Sequence, residues 1–277
     1  MKRHLAQLNV ATLRHPIDDP RTADFAAGLP TVNGLGEQSP GYVWRLQSDG
    51  GDATDIQVFD DPLIIVNLTV WESLDALKAF AYRGIHRDFF RRRTEWFVEE
   101  SSRTALWWLP AGALPTTEDA KRRLDFIDAF GTSPYAFTMG QTHPQLVMDR
   151  VGPDDSRVGA MANQLDDDLL ADRAGSLVVA EVDDVPVACG GYRILDESTA
   201  EIRRMYVAQS ARGLRLGAAI VAELEAAARA AGVQRLLLET WPRQLDALAQ
   251  FGFRNCPRWA EPTLSPDSVF LEKSLTA

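Results

Sequence analysis

The chain has 277 residues, 45% of them hydrophobic and 25% charged, and a formal net charge of −10. That length points to two domains, and the acid excess leaves no electrostatic footprint for a nucleic-acid backbone. No apolar run approaches the ~20 residues of a membrane span, and two cysteines, Cys189 and Cys256, indicate a reducing compartment rather than a disulfide framework.

The first sixteen residues, MKRHLAQLNVATLRHP, lack the long apolar core and small-residue cleavage site of a secretory signal, so a cytoplasmic location is expected. Residues 3–12 alternate polar and apolar as a strand does. Phe25, Leu29, Val32 and Leu35 mark a helix face over 22–38, which Pro30, Gly34 and Gly36 weaken. A turn at Ser39-Pro40-Gly41 leads into a strand at 42–46, a polar loop covers 47–55, and 63–71 is an apolar strand. Glu72-Ser73 opens a helix through Leu74, Leu77 and Phe80, and a second helix is read over 86–100. A strand at 104–109, a helix capped near Thr116 that turns Leu124, Ile127 and Phe130 inward, and a short strand at 135–139 complete this half.

The order β-α-β-β-α-β, with an added helix and strand, predicts a ferredoxin-like α+β sheet with helices on one face. The strings HLAQLNVA, SPGYVWRLQ, NLTVWESLDALKAF, RRRTEWF and ALWWLPAG also resemble a bacterial domain of unassigned function in the dimeric α+β barrel superfamily, kin to antibiotic-biosynthesis monooxygenases. That resemblance covers roughly residues 3–140 and implies a homodimer whose sheets pair face to face. His86, Arg93 and Trp96 fall near one face of their helix, away from Arg91 and Arg92. They fit either a haem or aromatic-substrate cavity lined by His86 and Trp96, or tryptophans filling a core beside a capping histidine; the second is favoured. His4 and His15 show no metal-ligand spacing with anything nearby, no metal is expected, and His143, at the junction, is assigned no role.

Gly140 to Pro144 is the junction, giving domains at 1–142 and 143–277. A strand at 146–151 and a helix through Val158, Met161 and Leu165 follow, capped by Gly152-Pro153-Asp154-Asp155, with Leu169-Leu170 as a further turn. Residues 176–182 and 185–195 form a hairpin around Asp183-Asp184, in which Gly190-Gly191 marks a close approach or a bulge. Glu201 to Ala208 is then a strand, Gln209 to Gly213 a turn, and Leu216, Ile220, Leu224 and Ala227 one face of a helix stopped by Gly232. Leu236-Leu237-Leu238 is the next strand. This strand–loop–helix–strand unit places glycine and arginine at a helix start, which fits either a pyrophosphate held by unpaired amides and the helix dipole or an ordinary crossover with a glycine-containing turn, and the glycines alone favour the second.

These residues carry a second resemblance. Glu201-Ile202-Arg203-Arg204-Met205-Tyr206-Val207, Arg212-Gly213-Leu214-Arg215-Leu216-Gly217, Leu236 to Thr240, Gly252-Phe253 and the closing Phe270 to Leu275 resemble, in order, motifs of the GNAT superfamily of acyl-CoA-dependent N-acyltransferases. The resemblance spans 145–277. It implies a mixed α/β fold, acetyl-CoA as cosubstrate, and a small-molecule amine or a peptide as acceptor, with no nucleic-acid or membrane partner. It further implies that the main chain at Met205, Tyr206 and Val207 binds the acetyl carbonyl and pantetheine, and that Arg212, Gly213, Leu214, Arg215, Leu216, Gly217 and Ala218 bind the pyrophosphate. Two positions depart from the pattern: Arg215 stands where the family has a small residue, and Leu248 where it often has a tyrosine that protonates the CoA thiolate.

Acyl transfer to an amine needs a base, and the strands offer Glu239 and Glu201. Each is equally readable as a strand-end acid paired with an arginine such as Arg203 or Arg235. Tyr206 is the alternative acid, or a packing residue of its strand. Two functions are compatible with these features. One is an acetyltransferase whose N-terminal domain dimerises the chain or shapes the acceptor site. The other is a non-catalytic acyl-CoA-binding module fused to a barrel with its own small-molecule chemistry. Acceptor choice is expected to lie in the segments around Asp166 to Gly175 and Trp259 to Ser268.

Overall fold

The computed structural model describes residues 2–82, 91–141, 143–152, 155–162, 174–260 and 265–276. The chain divides into two compact units, Met1–Gln145 and Leu146–Ala277.

The first unit carries four antiparallel strands, β1 (Arg3–Thr12), β2 (Tyr42–Arg45), β3 (Ile64–Trp71) and β4 (Arg103–Pro110), in the order β2-β3-β1-β4. Helix α1 (Ala23–Glu37) joins β1 to β2 and runs through Pro30. Helix α2 (Leu74–Ala81) and α3, helical over 91–96, lie between β3 and β4, and α4 (Thr117–Phe130) follows β4. Ser73 and Thr116 cap α2 and α4 by accepting the backbone N–H groups of Ala76 and Asp119.

Strand pairing sorts the sheet into two faces. Leu5, Trp71 and Leu106 point one way and pack with Leu77 of α2 and with Phe137. Ala6, Leu8, Val10, Val66, Leu68, Val70 and Trp107 point the other way and pack with Ala120, Leu124 and Ile127 of α4. Helices therefore cover both faces, not one. The spacing 120, 124, 127 makes an apolar stripe on α4 that must be buried, and the second sheet face is its partner. The expected face-to-face pairing of two sheets meets a surface that this chain already fills, since Ala6, Leu68, Val70 and Ala105 are buried there.

Residues 135–139 do not form the expected strand. Phe137 makes an isolated bridge, exchanging two backbone hydrogen bonds with Leu106 on β4. Of the helix read over 86–100, residues 91–96 are helical and Phe97 bridges Leu13; His86, Phe89 and Phe90 lie outside the described residues.

The second unit carries β5 (Leu146–Val151), β6 (Ala174–Val182), β7 (Val185–Ile194), β8 (Thr199–Val207), β9 (Arg235–Thr240), β10 (Arg254–Asn255) and β11 (Val269–Ser274). Their order is β10-β11-β9-β8-β7-β6-β5. Asp183 and Asp184 both take positive φ, the two-residue hairpin turn that matches strand twist. Helices are α5 (Ser156–Ala162), α6 (Leu216–Ala230) and α7 (Leu245–Ala249). The crossover through α6 makes β8 and β9 parallel, while the other pairs are antiparallel. Leu165, Leu169 and Leu170, read as the rest of α5, lie outside the described residues.

Helix α6 seats tightly on the sheet. A Cβ added at Gly190 on β7 would lie 2.4 Å from Ile220 and 2.6 Å from the Met205 sulfur. On the opposite face, Val158 and Met161 of α5 pack with Val179, Cys189 and Tyr206.

Candidate active site

Strands β8 and β9 pair from Thr199↔Arg235 to Ile202↔Leu238, and there the pairing stops. Beyond that point each strand is still held on its outer side. Arg203, Tyr206 and Val207 pair with Gly191, Cys189 and Ala188 of β7, and Glu239 and Thr240 pair with Phe270 and Val269 of β11. Among the described residues, the backbone groups of β8 that face the resulting gap have no ladder partner on β9, which makes them candidates for an extended ligand. The β7–β8 register also slips between Cys189 and Gly191, where two steps on β7 oppose three on β8. Gly190-Gly191 thus marks a bulge, and the extra residue sits at Arg204–Met205, beside the gap.

The turn after β8 brings the start of α6 to the same end. Gly213 has φ +84 and Arg215 has φ +60, so two residues in the left-handed region set the loop's path. Arg215 is the N-cap of α6 and makes no side-chain cap hydrogen bond. The first-turn amides at Leu216, Gly217 and Ala218 have no acceptor within the helix. A Cβ added at Gly213 or Gly217 would meet nothing within 4 Å, which leaves room for a phosphate to reach those amides. Arg212, Gly213 and Arg215 are exposed, Leu214 and Gly217 half-buried, and Leu216 and Ala218 buried.

Alternation along the strands puts Glu201, Arg203, Tyr206, Leu237 and Glu239 on the sheet face opposite α6. Glu201 is 3% exposed and its carboxylate accepts from Arg193 Nε at 2.6 Å and Arg203 Nη1 at 3.3 Å. The paired-acid reading fits Glu201, with Arg193 as the nearer partner; Arg235 lies instead 3.9 Å from Glu272. Glu239 is 9% exposed and stands at the level where β8 and β9 part. Tyr206 is half-buried against Cys189, Val158 and Met161. Met205 points the other way, toward α6, and Val207 closes the strand. Leu248, in the tyrosine's place, lies on α7 and is half-buried.

Arg193 escaped the sequence reading. A hairpin centred on Asp196-Glu197-Ser198 places residue 193 opposite 201, so counting outward from that turn would have found it.

In the first unit, Trp96 is 2% exposed and packs on Phe25 with ring centroids 5.6 Å apart, beneath the Arg92 guanidinium. It fills core, as the favoured reading has it. Arg92 pairs with Asp24 and Glu95 at the surface. Among the described residues, no three His, Cys, Asp or Glu side chains gather as a metal site requires. Nor is any helix of the described residues long and apolar enough to cross a membrane.

Comparison with known proteins gives two family matches. The model described as "Domain of unknown function (DUF3291)" matches residues 4–151, and that of the "Acetyltransferase (GNAT) family" matches residues 148–253. An IAA acetyltransferase of Azospirillum brasilense is 35% identical over 102 residues, covering 35% of this chain and 67% of that protein. Among solved structures, a Klebsiella pneumoniae protein assigned to the acyl-CoA N-acyltransferases is 27% identical with a TM-score of 0.41, covering 47% of this chain and 98% of its own. An IAA acetyltransferase of Bacillus cereus is 16% identical with a TM-score of 0.40, covering 47% and 99%.

Proposed function

We propose, for a chain that belongs to the DUF3291 family through its N-terminal unit and to the acetyltransferase (GNAT) family through its C-terminal unit, that this acyltransferase moves an acetyl group from acetyl-CoA to the amine of a small molecule or peptide. The observation that carries the reading is the parting of β8 and β9 after Ile202 and Leu238, beside the open helix start at Gly213 and Gly217. A cosubstrate with an extended arm and a pyrophosphate has a use for both features. Unpaired strand amides receive the arm, and helix amides with Arg212 and Arg215 receive the phosphates.

Roles follow from position. Glu239 takes the amine proton, because it stands at the level where β8 and β9 part. Glu201 positions Arg193 and Arg203. The main chain at Met205, beside the bulge, donates to the oxygen of the acetyl group as charge develops there. With Leu248 in the tyrosine's place, Tyr206 is the hydroxyl on Glu239's face that returns a proton to the CoA thiolate. Transfer is direct. Cys189 is buried among apolar side chains, and burial pushes the Cys256 thiol above its usual value, so neither is poised as a thiolate nucleophile.

The functional domains are read as 1–142 and 143–277, in a cytoplasmic setting consistent with two free cysteines. The strand order β2-β3-β1-β4 supports a ferredoxin-like reading of the first, with kinship to the α+β barrels. Its role is to shape acceptor choice; the packing of α4 argues against dimerisation through the sheet face.

Incubation with acetyl-CoA and a panel of amines, read as free thiol, tests the reading. Thiol release that depends on an amine supports it. Failure to take up acetyl-CoA by calorimetry, or uptake without thiol release for any amine, would overturn it.

A further inference from the structure

We infer that the first unit holds a small-molecule site of its own, on the sheet face that carries Leu5, Gln7 and Asn9. Its ligand is an uncharged molecule with carbonyl oxygens on a ring-sized apolar body. This site is independent of the acetyl transfer proposed for the second unit.

Cross-strand pairing sets two polar rows on that face: Thr69 beside Gln7, then Asn67, Asn9 and Thr104 abreast. Trp71 Nε1 donates to Thr69 Oγ1 at 2.9 Å, and Thr69 donates to Gln7 Oε1 at 2.8 Å. An indole N–H can only donate, so the Thr69 proton must go to an acceptor, and this turns the Gln7 oxygen toward Thr69. Gln7 Nε2 then makes no hydrogen bond among the described residues, although Gln7 is only 3% exposed. Thr104 repeats the arrangement: it donates to Asn9 Oδ1 at 2.6 Å and leaves Asn9 Nδ2 in the same condition. On the same face, Trp108 Nε1 is buried and has no partner. Buried donors left unmade are costly and call for a partner.

All three unmet groups are donors, so the missing partner supplies acceptors. The strands themselves do not: β1, β3 and β4 contain no Asp or Glu, in a chain that has 39. A carboxylate drawn out of water would need a cation. Arg45, level with Thr69, is held by Glu37 at 2.7 Å, and Arg3 Nη1 donates to the Gln145 carbonyl. Neutral carbonyl oxygens need no counter-charge. The second row is also the open one, with Asn67 exposed and Asn9 and Thr104 half-buried. Its short side chains separate a cluster built on Trp71, Leu106 and Phe137 from another built on Leu13, Phe25 and Trp96. A floor of N–H groups thus lies between two apolar walls. Gln7 and Asn9 stand two residues apart on one strand, about 6.8 Å, so one ring bearing two carbonyls meets both.

Amide NMR on the full chain, with the side-chain NH2 signals of Gln7 and Asn9 assigned through Gln7→Met and Asn9→Leu, forms the test. The probes are N-methylphthalimide, with two carbonyls, indane, with the same bicyclic skeleton and none, and phthalate, which is charged. The imide is expected to move both NH2 signals saturably, while indane and phthalate leave them in place. Asn9→Asp keeps an oxygen for Thr104 and removes both donors, and is expected to weaken the imide's Kd roughly ten-fold. Unmoved NH2 signals, indane titrating as well as the imide, tighter binding of phthalate, or an unchanged Kd in folded Asn9→Asp would each overturn the inference. Should Asn9→Asp melt below the working temperature, Asn9→Leu, which adds no charge, decides by the same criterion. Thiol release by the second unit enters none of these readouts, so either proposal can fail alone.

Discussion

At the scale of single residues, Arg215 carries a conflict between backbone and charge. It holds φ +60, a region that costs a non-glycine residue about 1 kcal/mol, and it stands at the N-cap of α6 without a side-chain hydrogen bond to the helix's own capping amides. Arg215→Gly is expected to raise stability in urea by up to about 1 kcal/mol while weakening acetyl-CoA binding and flattening its salt dependence. Denaturation and calorimetry on the same variant separate the two effects. Glu239→Gln is expected to lower kcat by roughly 10²–10⁴-fold with little change in the KM for acetyl-CoA. Glu201→Gln should instead act mainly on acceptor KM and on melting temperature, because that carboxylate orders two arginines. Tyr206→Phe keeps the packing on Met161 and removes only the hydroxyl, so a fall in kcat with unchanged melting identifies the acid. An unaltered rate would leave Tyr206 as packing alone.

Asp155 offers a pH prediction at the same scale. The Arg157 side chain, with its backbone N–H, holds the Asp155 carboxyl at about 2, below the ordinary value of 3.8. The group contributes stability above pH 3.8, and that contribution is lost as pH falls toward about 2. Arg157 also reaches Asp149 and Glu181, so α5 is tied to β5 and β6. Melting temperatures taken across that window should decline less steeply for Asp155→Asn than for the parent chain.

At the scale of elements, Gly190 shows how fold and site share one contact. Any side chain there meets Ile220 of α6 and Met205 of the bulge. Gly190→Ala is expected to cost about 1–3 kcal/mol by overpacking. It should also weaken acetyl-CoA binding, since Met205 lies beside the parting strands. Denaturation alone would not distinguish these effects; binding measured well below the melting temperature does. Much of this was legible in the sequence. The apolar alternation of β1, β3, β6 and β7 and the spacing along α6 follow from which residues must face a core. The strand at 135–139 was misread because Tyr135 and Phe137 are buried as strand residues are, yet they sit in a turn that bridges β4 at one point. The short α7 and β10 went unread because five and two residues carry no period. Of the site, the helix start and the strand carboxylates were visible locally. The commitment of Glu201 to Arg193 was not, because it depends on hairpin register rather than on spacing.

At the scale of the whole chain, ligand binding and folding are linked. Acetyl-CoA at a hundred times its dissociation constant should stabilise the folded chain by about 2.7 kcal/mol, and a thermal shift that grows with concentration checks that its site requires the fold. The first unit shows a second property, set by its margins. Strand β2 is four residues long with an irregular register, and the outer side of β4 is occupied at Leu106 by the Phe137 bridge. Short or occluded rims give a neighbouring polypeptide little template to add onto. Heating that loosens α4 before the strands separate would uncover an oily surface while leaving those rims blunted. Clumping of this unit would then begin as disordered association, with fibrils a late product or none at all.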